Sequence, residues 1–415
     1  MRSEDALLEA CRLAPDDDAP RLVWADAVGG ERGELVVIQC ELARGGLVPA
    51  DAAILRRRER ELVKEFGLAW SGLAEIPLKV EWAGFEFRRG FVEVIGLDAR
   101  AFTEHGEAIF HRAPLLRTLT ATGLKVGSDP LAALRALIQS PSFRHLRELS
   151  LPDVGYEMGR GYDDDPNLAD YADESYGDDV ARVLVESGAL AHLTGLGISL
   201  TDAGVYHLVA SGELGHVERL QLAGRLGGDA VLAMLDRAPR LKSFSLWGAT
   251  ELEEIVPALP PMIELSLSLN LARDYKTVVA ALPSVTRLSM RNVTVTDQML
   301  SIFGGSSAAV TVETLTIHGR RSRSGWLEWD GDIPALPRLR RLQALYGAST
   351  SEVRLIARAL GHQLEELTLS GHYGPDLVDE LKAHVAGEVL LVDWWQAGGT
   401  SGAGVWRADR RLVPR

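Results

Sequence analysis

A short frame of apolar residues recurs along this chain and constrains its fold more than any other feature. Residues 193–198 (LTGLGI) carry leucine or isoleucine at the first, fourth and sixth positions, and residues 217–222 (VERLQL) repeat that arrangement with valine and leucine. Between the two frames lies a short run that begins at Thr201 and Asp202, both favourable helix N-caps. We name the fourth position the anchor, and the anchors are Ile95, Leu119, Leu149, Leu196, Leu220, Phe244, Leu265, Leu288, Leu315, Leu342, Leu367 and Val392. Successive anchors are 21 to 30 residues apart, except for one step of 47 residues.

This frame predicts a stack of strand and helix turns. Alternate residues of a strand face the same side, so the first, fourth and sixth positions build an apolar core, and a return segment brings the next strand in parallel. Apolar residues at helical spacing predict helical returns at 130–138, 230–235 and 353–360. We therefore expect one curved parallel sheet of about eleven or twelve strands, with Leu220, Leu288 and Leu367 almost fully buried.

Frames in this order and at this period resemble leucine-rich repeat proteins, whose repeats span roughly 20 to 29 residues. The asparagine that often follows the last leucine is mostly missing, with Asn270 a displaced exception, so the array is irregular, has helical returns and resembles the ribonuclease-inhibitor type. The resemblance implies an α/β leucine-rich repeat solenoid at 91–395, preceded by a small helical cap module at 1–90. We expect residues 396–415 to form a flexible tail or a short C-terminal cap.

The first ninety residues carry a second resemblance. The run 15–26 (PDDDAPRLVWAD), followed by 31–39 (ERGELVVIQ), resembles the bacterial repeat-companion domain, a short helical module found ahead of repeat arrays. Ala27 and Val28 depart from the Trp-Leu that is usual there, and the family implies no chemistry for this chain. From the residues alone, 16–18 favour capping a helix start, Arg21 is predicted to pair with Asp26, and a calcium site at the three aspartates is the weaker alternative.

Composition excludes several classes of function. A net charge of -14 argues against nucleic-acid binding, which needs a cationic surface. No run approaches the roughly 20 apolar residues of a membrane span, and residues 1–6 lack the order of a secretion signal, so we expect a cytoplasmic protein. The two cysteines, Cys11 and Cys40, allow no disulfide framework, and we predict buried structural thiols. We expect neither a cofactor nor a metal site.

No catalytic motif is present in the sequence, so we expect the chain not to be an enzyme. The repeat array instead favours a regulatory scaffold for protein–protein interaction, acting as a recognition subunit or adaptor. One alternative is an inhibitor that sequesters an enzyme or regulator. Another, from a different class, is a cysteine-dependent enzyme that uses Cys40 in the N-terminal module.

An acidic insertion at 155–180 accounts for the long step between anchors. It holds nine acidic residues and a single base, Arg160, together with four tyrosines at 156, 162, 171 and 176. We expect a solvated, mobile loop, because like charges crowd a segment with few apolar residues. The alternatives are an acidic and aromatic contact for a basic partner, and a regulatory strap.

The frame also predicts which side chains face away from the core. The row that follows the anchors is small and polar, whereas the flanking rows collect aromatic and charged groups of the kind that dominate protein interfaces. The candidate partner-binding residues on this concave face are Trp247, Arg287, Arg291, His318, Arg341, Tyr346 and Trp395. A long irregular turn supplies secondary candidates, whose tryptophans alternatively cover the core: Arg320, Arg321, Arg323, Trp326 and Trp329.

Overall fold

The chain folds as an α/β stack around one long sheet. The computed structural model describes residues 4–77, 84–124, 129, 131–152, 174–269, 272–293, 297–319, 334–345, 350–370 and 375–392. Within these ranges the sheet has thirteen strands, and their order in space is their order in sequence. The strands are β1 (Gly84–Arg88), β2 (Phe91–Asp98), β3 (Thr118–Thr122), β4 (Glu148–Ser150), β5 (Gly195–Ser199), β6 (Arg219–Leu226), β7 (Ser243–Ala249), β8 (Met262–Ser268), β9 (Val285–Val293), β10 (Thr314–Gly319), β11 (Arg341–Leu345), β12 (Glu366–Ser370) and β13 (Glu388–Val392).

Helices return the chain from one strand to the next. The first four form the N-terminal module, and the others follow the strands in turn. They are α1 (Glu4–Leu13), α2 (Asp18–Val28), α3 (Gly30–Arg44), α4 (Pro49–Ser71), α5 (Ala99–Arg112), α6 (Ala132–Gln139), α7 (Glu174–Glu186), α8 (Asp202–Ala210), α9 (Gly228–Arg237), α10 (Leu252–Ala258), α11 (Tyr275–Ala280), α12 (Asp297–Gly304), α13 (Thr350–Leu360) and α14 (Pro375–Lys382). The predicted returns are confirmed in α6, α9 and α13, and Thr201 caps α8 by accepting from the amide of Ala203.

The strand register confirms the predicted anchors from β2 to β12. β1 and β2 pair antiparallel, and each later neighbour pairs parallel. Each anchor lies beside the next one along the sheet, in the order Ile95, Leu119, Leu149, Leu196, Leu220, Phe244, Leu265, Leu288, Leu315, Leu342 and Leu367. Leu220, Leu288 and Leu367 are 1%, 1% and 0% exposed, as expected for core positions.

The last anchor is wrong by three residues. Val389, not Val392, lies beside Leu367, so Val392 instead pairs with Ser370. The apolar run of β13 allows either frame, and a backbone contact decides between them. A side chain at Gly387 would lie 2.0 Å from the carbonyl oxygen of Glu365, so only glycine allows the chain to enter β13 at this register. The row that was predicted to include Trp395 therefore ends at Val392, and Trp395 itself lies outside the described residues.

The N-terminal module docks on the hairpin of β1 and β2 through a buried ion pair. Arg21 was predicted to pair with Asp26, and that prediction is wrong. Its guanidinium is fully buried and donates to Glu93 on β2 at 2.6 Å, as well as to the carbonyl oxygens of Pro15, Arg88 and Arg89. Because four acceptors surround one guanidinium, the site suits arginine well.

A second cation in the module is enclosed by aromatic rings. The Cζ atom of Arg32 lies between 5.1 and 5.7 Å from the ring centroids of Trp24, Trp70, Phe87 and Phe91. These rings belong to α2, α4, β1 and β2, so one side chain of α3 contacts four other elements. Burial lowers the pKa of Arg32 to about 10, and the cation persists at neutral pH. Attraction between the guanidinium and the ring faces offsets part of its lost hydration.

Of the three aspartates predicted to cap a helix, Asp17 does so, and Asp16 and Asp18 form ion pairs with arginines. Asp17 is the N-cap of α2 and accepts from the amide of Ala19 at 2.9 Å. Asp18 lies 3.0 Å from Arg89, and Asp16 lies 3.1 Å from Arg117. The three carboxylates are thus engaged by a helix N-terminus and by arginines, which favours the capping interpretation over the calcium alternative.

Only the end of the acidic insertion lies in the described ranges. Residues 174–180 form the start of α7, and Tyr176 and Val180 are buried in the core. The expectation of a loop is wrong for these residues, because the apolar spacing of 176, 180 and 184 gives the segment a helical face. Residues 155–173 lie outside the described part of the chain.

Candidate functional site

Five of the predicted partner-binding side chains belong to the described residues, and they lie in two rows on the face of the sheet opposite the helices, which we call the open face. The row near the carboxyl ends of the strands holds Trp247, Arg291 and His318, and the row near the amino ends holds Arg287 and Arg341. Along one strand, Arg287 and Arg291 are four residues apart, a separation of about 13 Å. The rows are therefore two neighbouring clusters on one surface.

The carboxyl-end cluster is built around a stacked arginine. Ser268 on β8 lies beside Arg291 on β9, which lies beside His318 on β10. Trp247 is on β7, the strand on the other side of β8. The Cζ atom of Arg291 nevertheless lies 4.7 Å from the centroid of the Trp247 ring, so the guanidinium reaches across the intervening strand. Ser268 is small and buried, which leaves room for this contact above it.

A similar arrangement occurs further toward the N-terminus of the sheet. Arg219 on β6 forms an ion pair with Glu148 on β4, and Gly195 occupies β5 between them. A side chain at Gly195 would lie 2.7 Å from Glu148, so a small residue is required here. Small residues on a middle strand thus let large polar side chains of its two neighbours meet.

His318 completes the carboxyl-end cluster as a neutral side chain. Burial lowers the pKa of His318 to about 3, and the positive charge of Arg291 acts in the same direction. The imidazole is therefore uncharged at neutral pH, when it has one donor and one acceptor nitrogen. The cluster combines a cation, an indole and a neutral imidazole, beside a row that includes Ser266, Ser289 and Thr316.

The amino-end row carries charges of both signs. Arg287 lies 3.4 Å from Glu264 on the neighbouring strand, and Glu264 also accepts from the hydroxyl of Ser243 at 3.2 Å. Burial lowers the pKa of Arg341, and the positive charge of Arg56 on α4 lowers it further. The N-terminal module therefore approaches the sheet close to Arg341.

Sequence reasoning found five of these residues and missed the contribution of α4. Trp247, Arg287, Arg291, His318 and Arg341 are all on the open face, as their frame positions predict. Arg56 was not predicted to lie there, because more than 280 residues separate it from Arg341 and no local pattern links them. The remaining candidates lie outside the described residues: Tyr346, Trp395, Arg320, Arg321, Arg323, Trp326 and Trp329.

The cysteine that the enzyme alternative requires is poorly suited to catalysis. Cys11 and Cys40 are both free and buried, as predicted. Burial raises the pKa of Cys40 to about 11, and the nearby carboxylate of Asp18 acts in the same direction. A nucleophilic cysteine needs a lowered pKa and access to substrate, so the environment of Cys40 opposes this role.

Metal-ligand clusters and membrane-spanning helices are both absent from the described ranges. These ranges contain no group of three or more His, Cys, Asp or Glu side chains placed to hold a metal ion. Every helix in the same ranges is too short or too polar to cross a bilayer. No model of a known protein family matches this chain, and no curated protein matches it either.

Proposed function

We propose that this chain is a non-enzymatic, cytoplasmic protein of the leucine-rich repeat type that binds another protein through the open face of its sheet. Its N-terminal helices would act as a cap module of the repeat-companion type. A role as recognition subunit or adaptor agrees with a long, regular surface on which neighbouring strands bring distant residues together.

The observation that carries this proposal is the stack of Arg291 on Trp247 across Ser268. Tryptophan and arginine are enriched among the residues that dominate binding energy at interfaces. Stacking holds the guanidinium in one orientation, so less conformational entropy is lost when a partner binds. The neighbouring row of Ser245, Ser266 and Ser289 is small, which allows a partner to approach the sheet closely.

The first test locates the binding face and captures the partner in one experiment. A photoreactive amino acid is placed at position 266 on the open face, and in a matched protein at Tyr206, an exposed residue of α8. We expect a discrete crosslinked protein from position 266 that is lost on Trp247→Ala, and no such adduct from position 206. Adducts from position 206 alone would assign binding to the helical side.

The second test measures affinity for the partner identified in this way. Trp247→Ala and Arg291→Glu should each weaken binding by about 2 kcal/mol or more, roughly thirtyfold in Kd, because both remove a central contact. The matched control is Arg225→Glu, an exposed position near the end of β6. If both variants bind normally while deletion of 155–173 or charge reversal at Arg320, Arg321 and Arg323 abolishes binding, the loops carry recognition instead.

In the inhibitor alternative the same surface binds the partner, and what differs is the effect of binding on the partner's activity. It predicts that the crosslinked partner is an enzyme or regulator whose activity falls when it is bound. Measuring that activity with and without the chain separates the two roles. An adaptor leaves the activity of its partner unchanged.

A further inference from the structure

Helix α4 is held at its two ends by different forces. Its second half packs into the core, where Leu62 is fully buried and Gly67 approaches the ring of Phe87 on β1. In its first half, Ala52 is the one buried residue, and Leu55 is partly buried against the core. The first half is therefore fixed largely by its polar side chains.

Two of those side chains contact the far end of the sheet. Arg56 lies 3.3 Å from Glu365, which directly precedes β12, and Arg60 pairs with Glu388, the first residue of β13. These pairs join residues 309 and 328 positions apart in the sequence. The side chains of Arg56 and Glu365 are only 14% and 11% exposed, so this contact is largely removed from solvent.

The same helix therefore contacts both edges of the sheet. Gly67 is packed against Phe87 of β1, whereas Arg56 and Arg60 are paired with residues at β12 and β13. Thirteen strands at about 4.8 Å spacing span an arc near 60 Å, yet residues 60 and 67 are only about 10 Å apart along a helix. The sheet must curve back far enough for one helix to bridge its ends.

Charge dominates the contact at β12 and β13. Arg56 and Arg60 face Glu365 and Glu388, and Arg341 and Glu366 of the amino-end row lie close to the same group. The side chains of Arg60 and Glu388 are 42% and 26% exposed, so this pair stabilises weakly and is screened by salt, whereas the packing around Leu62 is not. The apolar contact of α4 with β1 is therefore stable, whereas its ion pairs at β12 and β13 can break.

We propose that α4 is a clasp that holds the last two strands against the N-terminal module, and that release of its two arginines opens the arc of the sheet. Release increases the separation between α4 and β13 and uncovers Arg341 and Glu366 on the open face. The clasp is a property of the isolated chain and does not depend on the proposed partner binding.

A distance measurement tests the clasp directly. Spin labels are attached at Ile54→Cys, an exposed position of α4, and at Asp376→Cys on α14 in the full chain. Cys11 and Cys40 are buried and stay in place, with a sample lacking the introduced cysteines as the labelling control. We expect a short, narrow distance distribution in the parent chain. Arg56→Glu with Arg60→Glu should shift this distribution to longer distances and broaden it.

Two further variants distinguish loss of the two ion pairs from nonspecific destabilisation of the fold. Adding Glu365→Arg and Glu388→Arg to the double variant reverses both pairs and should restore the short distance. Arg58→Glu breaks the pair of Arg58 with Glu34 inside the module and should leave the distance unchanged. An unchanged distance in Arg56→Glu/Arg60→Glu, or equal opening by Arg58→Glu, overturns the proposal, as does a failure of the exchange to restore the distance.

Salt provides a measurement on the unsubstituted residues of the clasp. Raising the ionic strength from about 0.05 M to about 1 M shortens the screening length to about 3 Å and should lengthen the distance between the two labels. This result stands even if the reversed variants fold poorly. No change over this range overturns the electrostatic clasp.

Discussion

At the scale of single residues, half-buried histidine and glutamine side chains show how one turn of the stack is attached to the next. His216 contacts the carbonyl oxygen of Leu190 at 3.0 Å through its Nε2 atom, and Gln363 donates to that of Leu336 at 2.8 Å. His192 occupies the corresponding position in its own turn, and its ring lies 5.2 Å from that of Phe143. Each of the three side chains directly precedes the first apolar residue of its frame. An imidazole or amide at this position thus satisfies a carbonyl of the preceding turn.

Partial burial of two imidazoles makes stability depend on pH. Burial lowers the pKa of His192 and His318, that of His318 to about 3. The unfolded chain takes up protons near pH 6.5, whereas the folded chain does not until its lower pKa values are reached. The stability they contribute is complete above about pH 6.5 and is lost progressively as pH falls below it.

We predict that the free energy of unfolding falls between pH 7 and pH 5 and that His318→Gln makes this dependence shallower. The contribution of one histidine is at most about 1.4 kcal/mol per pH unit, because one proton is involved. Denaturant unfolding at several pH values measures it. The control for the substitution itself is His207→Gln at an exposed position of α8. Equal slopes in the parent chain and His318→Gln would contradict the prediction.

At the scale of elements, each strand places one face in the apolar core and the opposite face on the polar, open side of the sheet, where Ser268 and Thr368 are themselves buried. Leu288 is 1% exposed, whereas Ser289, the next residue of β9, is on the open face. Neighbouring strands present Leu265 and Leu315 at the same level. Each anchor therefore packs against anchors on both sides. Truncating the anchor of one strand also removes packing contacts from the two neighbouring strands.

We predict that Leu288→Ala lowers the free energy of unfolding by roughly 2 to 5 kcal/mol, because it leaves a cavity in a continuous core. Ser289→Ala changes the adjacent residue on the other face and should shift stability by no more than about 0.5 kcal/mol. Chemical denaturation of both variants measures the difference. Similar losses in the two variants would mean that the two faces of β9 are not distinguished by burial.

At the scale of the whole molecule, the N-terminal module and the sheet share a core. Leu35 and Leu62 of the module belong to the same apolar cluster as Phe87, Val92 and Ile95 of the sheet. Arg21 and Glu93 add a buried ion pair between them. Burial raises the pKa of Glu93, and Arg21 opposes that effect. The carboxylate therefore depends on its partner to remain charged.

We predict that Arg21→Met loosens the module and the first hairpin together. The substitution leaves Glu93 and three carbonyl oxygens without their donor, at a cost of roughly 3 to 5 kcal/mol. Hydrogen exchange should rise in α2, α3 and β1 together, with little change in β9 and β10. Arg21→Met with Glu93→Leu removes both charges and should recover much of the protection. Faster exchange confined to α2 would contradict the prediction, because it would mean that destabilising the module leaves the stability of the first hairpin unchanged.

The sequence by itself determined the local and periodic part of this protein. Because the side-chain period of a strand is two and the frame recurs at nearly constant spacing, it predicted the anchors of β2 to β12 and the buried leucines. It also predicted the helical returns and the open-face positions of Trp247 and Arg291. Each of these features depends on residues within one repeat or on the next repeat in the chain.

Only the tertiary structure decided which of those positions meet. The stack of Arg291 on Trp247 needs a small Ser268 on the strand between them, and the pairing of Arg21 with Glu93 needs the module to dock on β2. The pair of Arg56 with Glu365 needs the curvature of the whole sheet, and the register of β13 needs the close approach at Gly387. These contacts depend on how many strands are stacked and how far the stack curves, which no short stretch of sequence specifies.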